Sequence, residues 1–315
     1  MTDSAPAVPG VSTPATPDVS VRFGQPAEDL LPFIPAYWDV VVEGEGVVED
    51  LLRPEWTNIR LVSGGDWAFG PSLSQLKPLT DKAIIHGVAT HVQWVRGSAG
   101  LAFCIGVFPM GWQRLLGARA SHYANAVRPL ADVLEADGEQ LYMAVMAAPD
   151  FEGRVAAADA FFLERLGRSK RTHVSDQIAA VTRAIEDPDC ATVSDLADRS
   201  GFSQPQLARF TRQHFGFSPK RLLRRERFLR MLHSMQGSSV GEWPHFLDPQ
   251  YSDQSHMIRD FKHFIGMAPT RYFAMERPLI AAVFRTLVQL AANGAAEGFT
   301  IKEGRQTLAF RPDNR

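Results

Sequence analysis

The chain has 315 residues, long enough for about two domains, and its composition is that of an ordinary globular protein, with 45% apolar and 22% charged residues. It contains no run of about 18 apolar residues, which excludes a membrane-spanning helix. A net charge of −2 gives no sign of a nucleic-acid partner by itself, and only two cysteines, Cys104 and Cys190, argue against a disulfide scaffold or a zinc finger and suit a reducing cytoplasm.

Residues 1–20 are rich in Pro, Ala, Ser and Thr and lack both a basic and an apolar region. They read as a disordered arm rather than a secretory signal. Residues 21–166 mix short β-like and helical runs and predict an α+β domain, a curved sheet with helices on one side. Glu55–Val62, Ala83–Val95 and Gly100–Phe108 read as strands, bounded by clusters such as Ser63-Gly64-Gly65-Asp66. Helices are expected over Trp112–Leu116, His122–Ala126, Leu130–Ala136, Glu139–Ala147 and Arg154–Leu166.

Little in this half carries catalytic chemistry. His86 and His91 are five residues apart on one expected strand and so point to opposite faces, which does not suit one metal ion. Trp38, Trp56, Trp67, Trp94 and Trp112 concentrate aromatic surface here; they read as core, or in part as the lining of a small-molecule pocket. There is no phosphate loop, nucleophile elbow or pair of catalytic carboxylates. Cys104 lies in an apolar strand with no His or Lys beside it, so an activated thiol is not expected. No catalytic residue, metal or cofactor is predicted.

Residues 167–275 read as an all-α domain of about seven helices. Thr172–Asp187 carries apolar residues at helical spacing. Thr192 and Asp195 form a capping box for a short helix, and Gly201 supplies a turn. Ser203 and Gln206 cap the next helix. Its buried stripe is expected to be Leu207, Phe210 and Phe215, with Gln204, Gln206, Arg209, Arg212 and Gln213 left outside. Ser218-Pro219 opens a long helix to about Gln236. A second short helix, interrupted by Pro244, is expected over Val240–Leu247, with Trp243 and Phe246 packing the second unit. Ser252 or Asp253 then caps a further helix, with Met257, Ile258, Phe261 and Phe264 buried and Asp253, Gln254, Ser255, His256 and Arg259 facing out.

These passages echo each other fifty positions apart, from Gly201 and from Tyr251. In both, a glycine follows the arginine by seven residues and a proline follows it by ten: Arg209, Gly216, Pro219 and Arg259, Gly266, Pro269. Such repetition predicts two helix-turn-helix units joined by a helix. Between Arg199 and Arg230 nine residues are basic (Arg199, Arg209, Arg212, Lys220, Arg221, Arg224, Arg225, Arg227, Arg230) and only Glu226 is acidic. On a helix-turn-helix this charge becomes a phosphate footprint; otherwise each is a solvated or ion-paired surface residue. Arginine and glutamine are the side chains that pair bidentately with guanine and adenine.

Residues 172–273 resemble the DNA-binding domain of the AraC/XylS family of bacterial transcription regulators. The motifs are Gly201-Phe202-Ser203, Phe215-Gly216-Phe217-Ser218-Pro219, Tyr251-Ser252-Asp253-Gln254-Ser255-His256-Met257-Ile258-Arg259-Asp260-Phe261 and Gly266-Met267-Ala268-Pro269-Thr270-Arg271-Tyr272. The N-terminal half, with Tyr37-Trp38 and Ala102–Pro109, resembles sensor domains attached to that family. The resemblance implies two units reading successive major grooves of double-stranded DNA. It places Gln204, Pro205, Ala208 and Arg209 of the first unit, and Gln254, Ser255, His256 and Arg259 of the second, against bases. Lys220, Arg221, Arg224 and Arg225 are the expected phosphate contacts. Pro205 and Ala208 offer no side-chain hydrogen bond, so base choice is shared between Arg209 and a more informative Gln254–Arg259. Further partners implied are RNA polymerase, a small-molecule effector and a second copy of the chain, in the cytoplasm or at the nucleoid. A DNA-modifying or repair enzyme with a helix-turn-helix docking domain, and a purely architectural DNA binder, are the alternatives. Residues 276–315 extend past the domain, with an amphipathic helix expected over Leu279–Leu290.

Overall fold

The computed structural model describes residues 17–235, 250–292, 301–302 and 305–306. The expected arm at 1–16 and the short helix at Val240–Leu247, with Pro244, Trp243 and Phe246, lie outside the described residues. Ten strands form two antiparallel sheets. The larger has the order β1 (Asp18–Gly24), β2 (Tyr37–Glu43), β9 (Gly100–Val107), β4 (Thr57–Gly64), β7 (Ala83–His86), β10 (Val127–Pro129). The smaller has the order β3 (Val48–Leu52), β8 (Gln93–Gly97), β5 (Ala68–Gly70), β6 (Lys77–Pro78).

Successive strand side chains point to opposite faces, and the larger sheet uses both. Tyr37, Ile59, Leu61, Ile85, Phe103 and Ile105 face one way into a core. That core is covered by α1 (Pro109–Gly111), the π-helical turn Trp112–Leu116, α2 (Ala131–Leu134), α3 (Ala136–Met146) and α4 (Phe151–Arg168). Their neighbours Trp38, Val40, Val62, Ile84, Ala102 and Cys104 face the other way, toward Val48, Phe69 and Val95 of the smaller sheet. The N-terminal half is therefore the expected α+β domain, a two-sheet sandwich with helices on one outer face.

Three differences from the sequence reading have local causes. β1 starts at Asp18, inside the stretch expected to be an arm, because Val19 and Val21 pack between the sheets. The expected strand Ala83–Val95 is two strands in different sheets. At Gly87 the backbone passes so close to Tyr123 that an added Cβ would stand 1.7 Å from its carbonyl oxygen. There the chain leaves β7 and crosses to β8. The expected helix His122–Ala126 is a 3-10 turn over Ala120–His122 followed by β10.

The C-terminal half contains α5 (His173–Glu186), α6 (Val193–Ser200), α7 (Gln204–Phe215), α8 (Pro219–Ser234), α9 (Gln254–Ile265), α10 (Pro269–Ala274) and α11 (Pro278–Ala292). Two clusters weld it to the sandwich. Leu51 and Val92 pack with Phe228, Met231, Phe261 and Phe264, and the Val92 amide donates to the Phe264 carbonyl at 2.9 Å. Val88 packs with Leu207, Phe215, Phe217 and Leu222.

The amphipathic helix expected over Leu279–Leu290 is α11, and it returns to the sandwich. Leu279 and Ala282 join the inter-sheet core. Arg285 and Thr286 donate to the Val19 and Val21 carbonyls at 3.2 and 3.0 Å. The fully buried Asp50 of β3 accepts from the Ile280 amide at 3.0 Å and from the Leu51 amide at 2.6 Å, so it caps the start of α11. Replacing it with alanine orphans buried donors at about 1–3 kcal/mol each. Asp50→Ala should lower stability by about 2–4 kcal/mol and speed amide exchange in α11. Urea unfolding with hydrogen exchange checks this, and an unchanged midpoint would contradict it.

Candidate nucleic-acid interface and the cavity behind it

The first unit is built from α6 and α7. Thr192 Oγ1 accepts from the Asp195 amide at 3.1 Å, and the Asp195 carboxylate accepts from the Thr192 amide at 2.8 Å. Gly201 takes the left-handed conformation, φ 71°, that turns the chain. Leu207, Thr211 and Phe215 are the buried face of α7, with Phe210 partly buried against Phe202. Gln204, Gln206, Arg209 and Arg212 are exposed together on the opposite side. Gln206 is partly spent, because its Oε1 accepts from the Ser203 amide at 3.1 Å and hydroxyl at 2.8 Å.

The second unit presents α9. Asp253 is its cap, accepting from the His256 amide at 2.7 Å. Gln254, Ser255 and Arg259 are exposed. His256 is partly buried, its ring 5.0 Å from that of Tyr251 and its Nε2 3.3 Å from Arg227.

α8 joins the units. Lys220 and Arg221 are exposed at its start. Arg224 is half-committed, donating from Nε to Asp260 Oδ1 at 2.8 Å. Arg225 does not belong with them. It is fully buried, its guanidinium 4.3 Å from the Trp56 ring centroid, with Nη1 donating to Glu226 at 2.8 Å. The expected phosphate contact from Arg225 is corrected to an interior role.

The sequence does not disclose that Asp260, Arg227 and Tyr251 meet in the interior. Asp260 is 1% exposed and receives Arg224, Arg227 at 3.1 Å and the Tyr251 hydroxyl at 3.1 Å. Its spacing from Met257, Phe261 and Phe264 puts it on the buried face of α9, where an acid needs a cationic partner. Lys220, Arg224, Arg227, His256 and Arg259 surround a cleft of about 560 Å³ that reaches the start of α6.

Behind this surface lies a second cavity of about 240 Å³, between the sheets, α8 and α11. Trp38, Trp56 and Trp67 line it, while Trp94 and Trp112 pack elsewhere. α8 contributes Arg225, Glu226, Leu229 and His233. Burial pushes the Cys104 thiol up to about 12, so it carries no thiolate at neutral pH. His86 bonds Gln93 through Nδ1 at 3.0 Å, and the His91 ring meets that of His263 of α9 edge-on at 5.0 Å. Among the described residues no three His, Cys, Asp or Glu are grouped for a metal, and no helix is long and apolar enough to cross a membrane.

A family model described as a helix-turn-helix domain matches residues 196–275. Among solved structures, one of ToxT from Vibrio cholerae is 9% identical, covers 75% of this chain and 97% of its own, and has a TM-score of 0.42. A structure of apo ToxT is 12% identical, covering 76% and 97%, with a TM-score of 0.40. The AraC-like transcriptional activator CuxR is 12% identical, covering 72% and 91%, with a TM-score of 0.27. No curated protein matches the sequence. By the family model, residues 196–275 form a helix-turn-helix domain.

Two measurements follow from this geometry. Arg225→Ala breaks a buried charged contact and should cost about 3 kcal/mol of stability, while the salt dependence of DNA binding stays at the wild-type slope. A flattened slope in gel shifts across a salt series would return Arg225 to the phosphate set. The His233 imidazole is pushed down to about 3 by burial and by the Arg53 charge, whereas an unfolded histidine titrates near 6.5. Between those values the unfolded chain binds a proton that the folded chain refuses. Stability should therefore fall on acidification below about pH 6.5, by up to about 1.4 kcal/mol per unit from this residue. His233→Gln should flatten the urea-midpoint profile, and an unaltered profile contradicts the assignment.

Proposed function

We propose that this protein is an effector-responsive, sequence-specific transcription regulator without enzymatic activity. α7 and α9 read successive major grooves, and a small molecule in the inter-sheet cavity adjusts how they are held. The observation that carries this reading is the double use of α8. One side of it supplies Arg225, Leu229 and His233 to the cavity wall. The other supplies Lys220, Arg224 and Arg227 to the cationic cleft between α9 and the start of α6. A ligand that moves the cavity wall moves the helix to which both units are attached, so differential binding to two settings of α8 shifts DNA affinity.

Within this reading Gln204, Gln206, Arg209 and Arg212 of α7, and Gln254, Ser255, His256 and Arg259 of α9, face the bases. Lys220, Arg221 and Arg224 face phosphates. RNA polymerase is the partner of the DNA-bound protein, and a second copy of the chain the partner at paired sites.

Selection of bound fragments from random DNA supplies the operator for the test. On it Arg259→Ala should lose about 1–3 kcal/mol of specific affinity, with random DNA almost unaffected. Neutralising Lys220 and Arg221 should weaken all duplexes alike and reduce the salt slope by about 0.9 per lost phosphate contact. Equal loss on specific and random DNA for Arg259→Ala removes it from the reading set, and absence of any selected sequence overturns the regulator reading.

A further inference from the structure

The crossover from β7 to β8 passes through His91, and both of its neighbours are pinned. The Thr90 amide donates to Asn125 Oδ1 at 2.7 Å, and the Val92 amide to the Phe264 carbonyl at 2.9 Å. His91 between them is exposed and stands over α9, its ring edge-on to that of His263 at 5.0 Å. Its Nδ1 is 3.1 Å from Thr90 Oγ1, whose own hydrogen has Asn125 Oδ1 as acceptor at 3.2 Å. Nδ1 can therefore keep its proton in both charge states, and Nε2 is the nitrogen left to titrate.

His263 follows Arg259 by four residues, so both stand on one side of α9. It is partly buried, its ring 4.9 Å from that of Phe264. α8 brings Arg221 and Arg224 to the same place. Arg221 is exposed over the Phe217 ring at 5.5 Å, and among the described residues it makes no salt bridge. Arg224 lies over the Phe264 ring at 5.5 Å. Among the described residues the carboxylate acting on this group is Asp260, which already receives Arg224, Arg227 and the Tyr251 hydroxyl.

Charge decides what such a group can take. Arg221 and Arg224 put positive charge where a metal ion would sit between the imidazoles, and among the described residues no third donor is grouped with them. His91 is held below the ordinary histidine range first by burial and then by Arg221 and Arg224. His263 is held down first by burial, then by Arg224, His91 and Arg221, with Asp260 pulling the other way. The free protein thus keeps two neutral imidazoles beside two guanidinium groups that repel a further proton. An anion among the four cancels that repulsion and can accept from both protonated rings and from the Arg221 fork. Position selects the anion. The group lies between the Arg259 side of α9 and the exposed start of α8, and a duplex held by both reading helices must pass α8, which joins them.

We propose that His91, His263 and Arg221 form one seat for a backbone phosphate of the duplex, so that the sandwich itself touches DNA. This deepens, and rests on, the reading of α7 and α9 as base-reading helices. DNA binding is then coupled to proton uptake. A bound phosphate raises histidine pKa values that start below about 6.5, so affinity gains as pH falls toward the free-protein values, and the gain is lost above the bound-state ones.

The full-length protein is titrated by fluorescence anisotropy with the selected operator and with random duplex, at about pH 8 and about pH 6 and one ionic strength. Acidification should tighten wild-type binding about fivefold or more beyond its effect on the His91→Gln, His263→Gln double variant. The excess should be equal on both duplexes, because a phosphate carries no sequence. The comparison subtracts the other histidines, His256 among them. His91→Lys is charged at both pH values and should bind at the higher one about as tightly as the wild type at the lower, giving a folded comparison should the double variant fail. Methylphosphonates then neutralise the operator backbone one linkage at a time. One position should erase the excess pH dependence of the wild type and leave the double variant unaffected. The seat is overturned if wild type and double variant share one pH profile, or if no methylphosphonate erases their difference; the latter places the histidines at the seam between the halves rather than on DNA. A wild type that binds no duplex at either pH overturns the regulator reading and the seat with it.

Discussion

One buried carboxylate, Asp260, receives guanidinium groups from Arg224 and Arg227 and the hydroxyl of Tyr251. The arginines come from α8 and the carboxylate from α9, so this contact sets the position of the second reading helix relative to the linker. Breaking a buried ion pair by removing one partner is strongly unfavourable because the other charge is left behind. The angle between the two helices is thereby set by discrete bonds rather than by apolar contact alone. Phe228, stacked on Phe264 at 4.7 Å and edge-on to Phe261 at 5.5 Å, fills the space beneath.

The same α8 is held from the opposite side by the sandwich. Leu51 points out of β3 toward Phe228 and Met231, while its neighbours Asp50 and Leu52 point toward α11 and the inter-sheet core. A two-residue repeat in one short strand thus serves both halves. α11 closes the loop of contacts: it follows the second unit in sequence yet ends against β1 and β3.

Much of the C-terminal half was legible because its signals are local. Thr192 with Asp195, Ser203 with Gln206, and the left-handed Gly201, Gly216 and Gly266 are short-range devices whose geometry depends on a few neighbouring residues. Arg225 was misread because a run of arginines looks like a surface. Yet it shares a helical stripe with Leu222, Phe228 and Leu232 at spacings of three and four, and that stripe is the buried one. The sandwich was less legible. β2 and β3 pair with β9 and β8, strands far along the chain. The break in Ala83–Val95 depends on Tyr123, more than thirty residues away. Such facts exist only after the chain has folded.

The two turns that close the reading helices are equivalent in sequence and unequal in space. Gly266 has open room around it, with nothing within 4 Å of where a Cβ would sit. At Gly216 that same Cβ would lie 2.6 Å from Val88 and 3.2 Å from Ala124. The first turn is therefore shaped by the domain in front of it as well as by its own helix. A chimera that grafts this C-terminal half onto a foreign sensor must carry the 87–92 crossover and the 120–126 segment with it. The portable unit is larger than the DNA-binding domain.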